Sequence, residues 1–140
     1  MSGNLDLVRS IYADWERGDF SAEEWVDVDI EYRIVGLREM LPQNWSGLAG
    51  ARVGARAVLE VMELRQIAAE EYRELEGGEV LVLDRRVGRI KRSGMQFGTG
   101  ASVRDAGFGA HVFHVRDGKV RKLVAYFDRD RAIADLGLEA

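Results

Sequence analysis

Two histidines, His111 and His114, are the residues of this chain best suited to acid–base chemistry, and the chain has no cysteine. Imidazole ordinarily titrates near neutral pH, so a histidine can both donate and accept a proton there. The lack of cysteine excludes disulfides, thiolate nucleophiles and cysteine-based zinc sites. Residues three apart on a strand point to opposite faces, so the two histidines cannot share a metal ion. We predict no metal site and no cofactor.

The residues around His111 alternate as in a strand with one apolar face. His111, Phe113 and Val115 share one side of that strand, and Leu123, Ala125 and Phe127 share one side of the strand that follows. We predict that these sides form an apolar wall with one imidazole on it, while His114 faces the surface. An apolar wall with few polar groups is typical of a small-molecule site. The alternative is that His111 only packs or hydrogen-bonds.

Polar and aromatic residues elsewhere supply the other candidates for this site. Tyr32 and Arg85 are predicted to assist His111 in catalysis, and Arg33 is predicted to line the pocket. Inward charges would have to pair, because an isolated buried charge is very costly, and the alternative is that they are exposed strand charges. Four aromatic residues are expected to close the pocket from the helical side: Tyr12, Trp15, Trp25 and Trp45. Two acids are further polar candidates: Glu31 and Asp84.

The first half of the chain must supply the helices that cover such a wall. Apolar residues recur at helical spacing from Leu5 to Trp15, with Gly18 as a stop. Ser21 to Glu24 has capping-box spacing, which predicts a short second helix carrying Trp25. The segment 29–34 alternates as a strand, and residues 36–52 are predicted to be a long loop. A third helix is predicted from roughly Val53 to Ala69, with Val53, Ala57, Val58, Val61, Leu64, Ile67 and Ala68 on its buried face.

The second half reads as strands joined by tight turns. Gly77-Gly78 separates predicted strands at 72–76 and 80–88, and Asp117-Gly118 joins 111–116 to 119–128. Asp128 can cap a last helix that ends near Leu136. Glycine is frequent in 93–110, and strands are not assigned there. Helices followed by antiparallel strands predict an α+β fold with helices on the concave face of one curved sheet.

Bulk composition limits the possible partners. The chain has 140 residues and a net charge of −4, which fits one domain spanning 1–140. The basic run at 85–92 lies in a strand-like segment, so we read it as a solvated face and predict no nucleic-acid partner. No apolar run approaches the ~20 residues needed to cross a bilayer, and the N-terminus lacks an apolar signal core. We therefore expect a cytoplasmic protein with no membrane partner.

Several short motifs in a fixed order resemble the SnoaL-like branch of the NTF2-like superfamily, whose members include ketosteroid isomerases, limonene epoxide hydrolases and polyketide cyclases. The matching segments are 15–19, 29–32, 53–58, 83–85, 111–113, 116–120 and 125–128. The resemblance implies a cone-shaped α+β barrel, in which a curved, mainly antiparallel sheet wraps around the N-terminal helices. It also implies a pocket for an apolar or polycyclic ligand.

The same resemblance bears on the site residues. His111 falls where ketosteroid isomerases have their oxyanion-binding acid and SnoaL-type cyclases have a histidine. The acid that cyclases and epoxide hydrolases carry on the last strand falls at Ala125, which cannot exchange a proton. Arg85 matches the hydrolases' arginine, but their nearby aspartate falls at Val87. The isomerases' helix-1 tyrosine falls near Ile11, with Tyr12 one place off, and their catalytic base falls near Arg33. The isomerase, cyclase and hydrolase mechanisms are therefore not carried over intact.

Three functions remain open from the sequence. The first is an isomerase, cyclase or hydrolase with His111 as the acid/base or oxyanion donor. The second is a protein that carries or senses an apolar ligand without chemistry, and the third is a dimeric structural module. A homodimer through the outer sheet face is predicted because Val112, Val124 and Tyr126 would be exposed there in a monomer.

Overall fold

The computed structural model describes residues 3–36, 44–94, 96–97 and 107–138. Within these ranges the helices are α1 (Gly3–Glu16), α2 (Gly47–Val61) and α3 (Arg129–Asp135), with one 3-10 turn at Glu76–Gly78. The strands are β1 (Val26–Val35), β2 (Asn44–Ser46), β3 (Met62–Glu74), β4 (Glu79–Ile90), β5 (Gln96–Phe97), β6 (Phe108–Arg116) and β7 (Lys119–Tyr126).

One mixed sheet holds all seven of these strands. Its order is β2-β1-β7-β6-β4-β3, with β5 paired to β4. Only β1 and β7 run parallel, and the other pairs are antiparallel. The sheet is not closed, and α1 and α2 pack on the same face of it. The α+β architecture predicted from the sequence is confirmed.

The two glycine turns predicted from the sequence form as expected. Gly77 and Gly78 have φ of 78° and 85°, and Asp117 and Gly118 have φ of 53° and 75°. Glycine, aspartate and asparagine tolerate positive φ, which tight hairpins demand. These turns fix the register of β3 against β4 and of β6 against β7.

The first helix is confirmed, whereas the short helix predicted at Ser21 is wrong. Helix α1 buries Val8, Ile11 and Tyr12, and it ends before Gly18, which has φ of 82°. No helix forms at residues 19–25. The backbone N–H and the hydroxyl of Ser21 both donate to Asp19 Oδ1, at 3.0 and 2.6 Å. The serine therefore bonds to the residue two positions before it and does not cap a helix after it.

The long middle helix was predicted with the wrong bounds. It occupies Gly47–Val61, so part of the predicted loop is helical, and residues 62–69 belong to β3. Val53, predicted to be buried, is 52% exposed. The apolar residues at 64, 67 and 68 are compatible with a helix as well as with a strand. They form a strand because β3 pairs with β4 from Met62 to Glu74.

The part of the outer face around β6 and β7 is covered by the C-terminal helix of the chain itself. The Asp128 carboxylate accepts hydrogen bonds from the backbone N–H groups of Asp130 and Arg131, so the last helix is capped as predicted. Helix α3 and the residues after it pack on Val112, Val124 and Tyr126, which are only 1%, 6% and 6% exposed. The expectation that a monomer exposes these three residues is wrong, because the C-terminal helix already covers them.

Two further sequence predictions meet the structure in part. Strand β6 occupies the end of the glycine-rich segment 93–110, while residues 95 and 98–106 lie outside the described residues. Among the helices described, none has the length and apolar character required to cross a membrane.

Candidate functional site

The site begins with the register between β4 and β6. Val82 lies opposite His111, and Asp84 lies opposite Gly109. Side chains two apart on a strand share a face, so Asp84 and Arg86 point to the same side as His111. All three are buried, with 0%, 2% and 8% of their surfaces exposed. Tyr12 of α1 reaches them from the opposite layer.

A buried hydrogen-bond network joins these four side chains. The Tyr12 hydroxyl donates to Asp84 Oδ2 at 2.6 Å, and His111 Nδ1 lies 2.8 Å from the same oxygen. Nδ1 also lies 2.9 Å from the Tyr12 oxygen. Two groups compete at Nδ1: the Asp84 carboxylate, an ionised acceptor at 2.8 Å, and Nη2 of Arg86, a donor at 3.3 Å. Because the carboxylate contact is the shorter one, we assign the imidazole proton to Nδ1. Nε2 then carries the lone pair that accepts a proton, and the carboxylate stabilises the imidazolium that results.

Burial, more than the charges of the network, keeps the histidine neutral. Burial lowers the pKa of His111, and this outweighs the opposite effect of the Asp84 carboxylate. Burial alone would raise the pKa of Asp84, but Arg86, His111 and Tyr12 together hold it below its ordinary value. Burial, with Asp84 nearby, raises the pKa of Tyr12 well above 10.0. At neutral pH the cluster is therefore an ion pair of Asp84 and Arg86 with two neutral partners.

Arg86 is the charge that holds Asp84 ionised inside the protein. Its Nε donates to Asp84 Oδ1 at 3.0 Å, and its Nη2 donates to the Ala110 carbonyl at 3.2 Å. The guanidinium carbon lies 4.5 Å from the centre of the Phe127 ring. Nη1 is buried and has no hydrogen-bond partner among the residues described. Gly109 makes the room, since a Cβ there would lie 2.6 Å from the guanidinium carbon.

A cavity of about 450 Å³ opens beside this network. It lies between α2 and the sheet, and the end of α1 and the segment 20–26 form its other walls. His111 and Arg86 are on its wall, and most of the other lining side chains are apolar. Those apolar residues are Trp15, Phe20, Ala22, Trp25, Val26, Ile30, Leu48, Ala51, Ala55, Val58, Leu59, Met62, Leu64, Ile67, Leu123, Ala125 and Phe127. The volume and the lining are those of a small-molecule site.

Seven of the residues predicted for the site line this cavity: Trp15, Trp25, Tyr32, His111, Leu123, Ala125 and Phe127. Three others lie behind the wall. Tyr12 and Phe113 are fully buried in the core cluster under α1, and Trp45 stacks on Tyr32 with ring centres 5.7 Å apart. Helix α2 approaches this stack closely at Gly54, where a Cβ would lie 2.7 Å from Trp45. Burial raises the pKa of Tyr32 to about 12, so its hydroxyl stays protonated.

Two of the predicted site residues point away from the cavity. Arg85, predicted to be catalytic, has its guanidinium 5.1 Å from the Phe108 ring on the outer face. Arg33, predicted to line the pocket, is exposed, as is its neighbour Glu31. Adjacent residues of a strand point to opposite faces, and the residue next to each of them lines the cavity instead: Arg86 on β4 and Tyr32 on β1. The placement of Arg85 and Arg33 in the pocket is therefore wrong by one residue.

Sequence reasoning missed Arg86 and gave Asp84 no definite role. Residues on both faces of β4 are apolar at 80–83, so alternation alone did not identify the inner face. The available signal was the pair of charges two apart, Asp84 and Arg86, since buried charges have to be paired. His114, predicted at the surface, is half-buried and lies 3.3 Å from Glu79. No group of three or more histidine, aspartate or glutamate side chains converges as a metal site in the described ranges.

The chain thus combines an open, mostly antiparallel sheet, two helices packed on one face of it and a pocket between the helices and the sheet. No family model matches the chain, and no curated protein matches it. Solved structures do. An NTF2-like protein of unknown function from Burkholderia pseudomallei is 19% identical, with a TM-score of 0.71 over 96% of this chain and 97% of that one.

Two further structures show what the fold includes. TerC, crystallised with polyporic acid, is 21% identical with a TM-score of 0.69, over 96% of this chain and 98% of that one. A protein provisionally assigned as a SnoaL-like polyketide cyclase from Mesorhizobium loti is 14% identical with a TM-score of 0.70, over 89% and 99% of the two chains. The resemblance to the SnoaL-like and NTF2-like superfamily is thus confirmed at the level of the fold.

Proposed function

We propose that this protein binds a small apolar or polycyclic molecule in the cavity and moves a proton on it through Nε2 of His111. The observation that carries the proposal is the buried network in which Asp84 and Tyr12 hold Nδ1 of an imidazole on the wall of an apolar cavity. A neutral imidazole with a carboxylate behind it is suited to act as a general base and then as a general acid. Similar folds include the assigned polyketide cyclase and TerC with its polyporic acid.

The simplest reaction of this kind is an isomerisation. His111 Nε2 takes a proton from a carbon next to a carbonyl, and the electron pair of that C–H bond moves onto the carbonyl oxygen. The protonated imidazole then returns the proton at another carbon of the conjugated system, so no co-reactant is consumed. Tyr32 lines the cavity and keeps its proton, so it can donate a hydrogen bond to the oxygen as charge develops there.

The test is a thermal-shift screen of steroid, terpenoid and aromatic polyketide compounds. For each ketone that binds, the exchange of its carbon-bound hydrogen for deuterium is then measured in heavy water. Ligands that occupy the cavity raise the melting temperature, since a bound ligand stabilises the native state. Substituting His111→Gln is expected to abolish exchange and leave binding in place. His114→Gln, on the outer side of the same strand, is the matched control and is expected to exchange at the normal rate.

The second candidate is a protein that binds the same class of molecule without chemistry. The observation that favours it is Ala125, which lines the cavity directly opposite His111 where resembling enzymes carry an acid. Binding that is equal in the normal protein and in His111→Gln, with no exchange in either, would select this function. A screen in which no compound raises the melting temperature would contradict both candidates.

The predicted homodimer stays a proposal, without the exposed outer face that first motivated it. Sedimentation at high micromolar concentration measures it directly. A monomer under those conditions would refute the dimer and leave the cavity proposal untouched.

A further inference from the structure

The mouth of the cavity is defined here by the exposed lining residues Phe20, Arg52, Ala55, Arg56 and Leu59, together with the partly exposed Glu23. Arg52, Arg56 and Leu59 lie on one side of α2, because residues three and four apart share a helix face. Phe20 and Glu23 stand across from them on the segment that follows α1. The mouth therefore lies between one helix and one loop, and both contribute charge to it.

The charges of the lining residues do not cancel. The cavity is lined by three arginines, Arg52, Arg56 and Arg86, and by one acid, Glu23. Asp84 neutralises Arg86 from behind the wall. Glu23 accepts two hydrogen bonds from Arg52, at 2.8 and 2.6 Å, which neutralises that guanidinium. Arg56 is left with no hydrogen bond or ion pair in the described part of the chain.

Arg56 is exposed and solvated, so it needs no partner for stability, but its side chain is free to pair with an anion at the mouth. Arg52, four residues before it on α2, is already held by Glu23. Glu23 therefore cannot pair fully with both arginines. A positive mouth on a protein with a net charge of −4 is a local attraction for anions and not a consequence of overall composition.

Apolar side chains surround the same charge. Phe20 and Leu59 are 46% and 47% exposed, and they are two of the four large apolar residues exposed among those described. A ligand that filled the cavity and emerged through the mouth would cover both of them. Its end would then lie beside Arg56.

From this arrangement we infer that the ligand is an amphipathic acid, with an apolar ring system inside the cavity and a carboxylate or similar anion at the mouth beside Arg56. The inference rests on the proposed function, because it names the chemical class of the molecule that the cavity takes. The apolar body provides most of the affinity, and the anion sets which end enters first.

A pair of probes that differ only in charge tests the inference. Naphthylacetate and naphthylacetamide have nearly the same shape, and calorimetry measures the affinity of each at low salt. The acid is expected to bind about three- to fivefold more tightly than the amide, as for an exposed ion pair. Raising the salt concentration is expected to remove most of that difference.

Variants of the mouth assign the effect to one residue. Arg56→Ala is expected to remove the preference for the acid and leave the amide affinity unchanged, and Arg56→Glu is expected to reverse the preference. Arg121→Ala, an exposed arginine away from the cavity, is the matched control and is expected to change neither. Circular dichroism and melting temperature check that each variant folds, which is expected because Arg56 is exposed.

The outcomes separate the two proposals. Equal binding of acid and amide, or a preference that survives Arg56→Ala, would overturn the anionic ligand while the cavity function stands. Failure of both probes to bind, with no compound raising the melting temperature in the thermal-shift screen, would remove the cavity function on which both proposals depend.

Discussion

Both faces of the sheet carry apolar side chains, but a helix packs directly on part of the outer face, whereas a cavity lies against the inner face. On the outer face, α3 with Leu136 and Leu138 packs directly on the strands and leaves Val112 and Tyr126 buried. On the inner face, α1 packs on one cluster of core residues and α2 on another, and the cavity lies between these two clusters. The difference shows that alternation determines which residues share a face, whereas the covering element determines whether that face is filled or hollow.

The charges on β4 follow the same division. Arg86 and Asp84 on the inner face are almost wholly buried and hold each other, while Arg85 on the outer face lies over Phe108. Neighbouring residues of one strand therefore experience very different environments.

The largest effect is expected from breaking the buried ion pair. Asp84→Asn leaves the Arg86 guanidinium buried without a counter-charge, and removing one partner of such a pair typically costs about 3–5 kcal/mol of unfolding free energy. Chemical denaturation measures the loss. Glu63→Gln breaks an exposed pair with Arg89 (2.7 Å) and is the matched control, with an expected loss of at most about 1 kcal/mol. Equal losses in the two variants would contradict the division between the faces.

The next effect concerns the contact of α2 with the inner face. Gly54→Ala places a Cβ 2.7 Å from Trp45 and 2.8 Å from Tyr32, and such overpacking typically costs about 1–3 kcal/mol. Gly50→Ala on the same helix meets Trp45 at 3.5 Å, an ordinary contact, so helix propensity makes it neutral or stabilising. Melting temperatures compare the two. A Gly54→Ala protein as stable as Gly50→Ala would show that α2 does not press on the aromatic stack.

A pH effect is expected from the two histidines. Burial lowers the pKa of His111, and burial also lowers that of His114, in each case from an ordinary value of 6.5. The unfolded chain therefore binds these protons more readily, and the free energy of unfolding falls as pH drops below 6.5 until each folded-state pKa is passed. His111→Gln removes its share of this slope and His114→Gln removes its own share, while the part near pH 5 that comes from carboxylates with lowered pKa, such as Glu23 and Glu63, stays in both variants. Denaturation curves between neutral pH and pH 5 measure both, and an unchanged slope in His111→Gln would contradict the burial of His111.

The smallest effect is expected on the outer face of β4. Arg85→Ala loses the contact of its guanidinium with the Phe108 ring, which is worth about 0.5–1 kcal/mol at an exposed site. Ligand affinity is expected to stay unchanged, because Arg85 does not line the cavity. Calorimetry with any compound found in the thermal-shift screen checks this. A loss of binding in Arg85→Ala would restore the residue to the site that the sequence first assigned to it.

The sequence predicted much of this molecule correctly, and the errors have a common physical cause. The first and last helices, the two glycine turns and the inward face of β6 were all set by local chemistry, such as capping by Asp128 and positive φ at Gly77. The end of α2 and the phase of β4 were not, because apolar residues there fit more than one period. Those two were decided by strand pairing across the sheet.

The sequence alone determined the order of helices and strands and the presence of an imidazole on an apolar strand face, because periodicity and turn chemistry act between near neighbours. Only the tertiary structure decided that Asp84, Tyr12 and Arg86 meet at that imidazole, since they are separated from it by 27, 99 and 25 residues. It also decided that the inner face is hollow. Contacts over such distances depend on register and on how closely the helices approach the sheet, and neither is encoded in the pattern of any one segment.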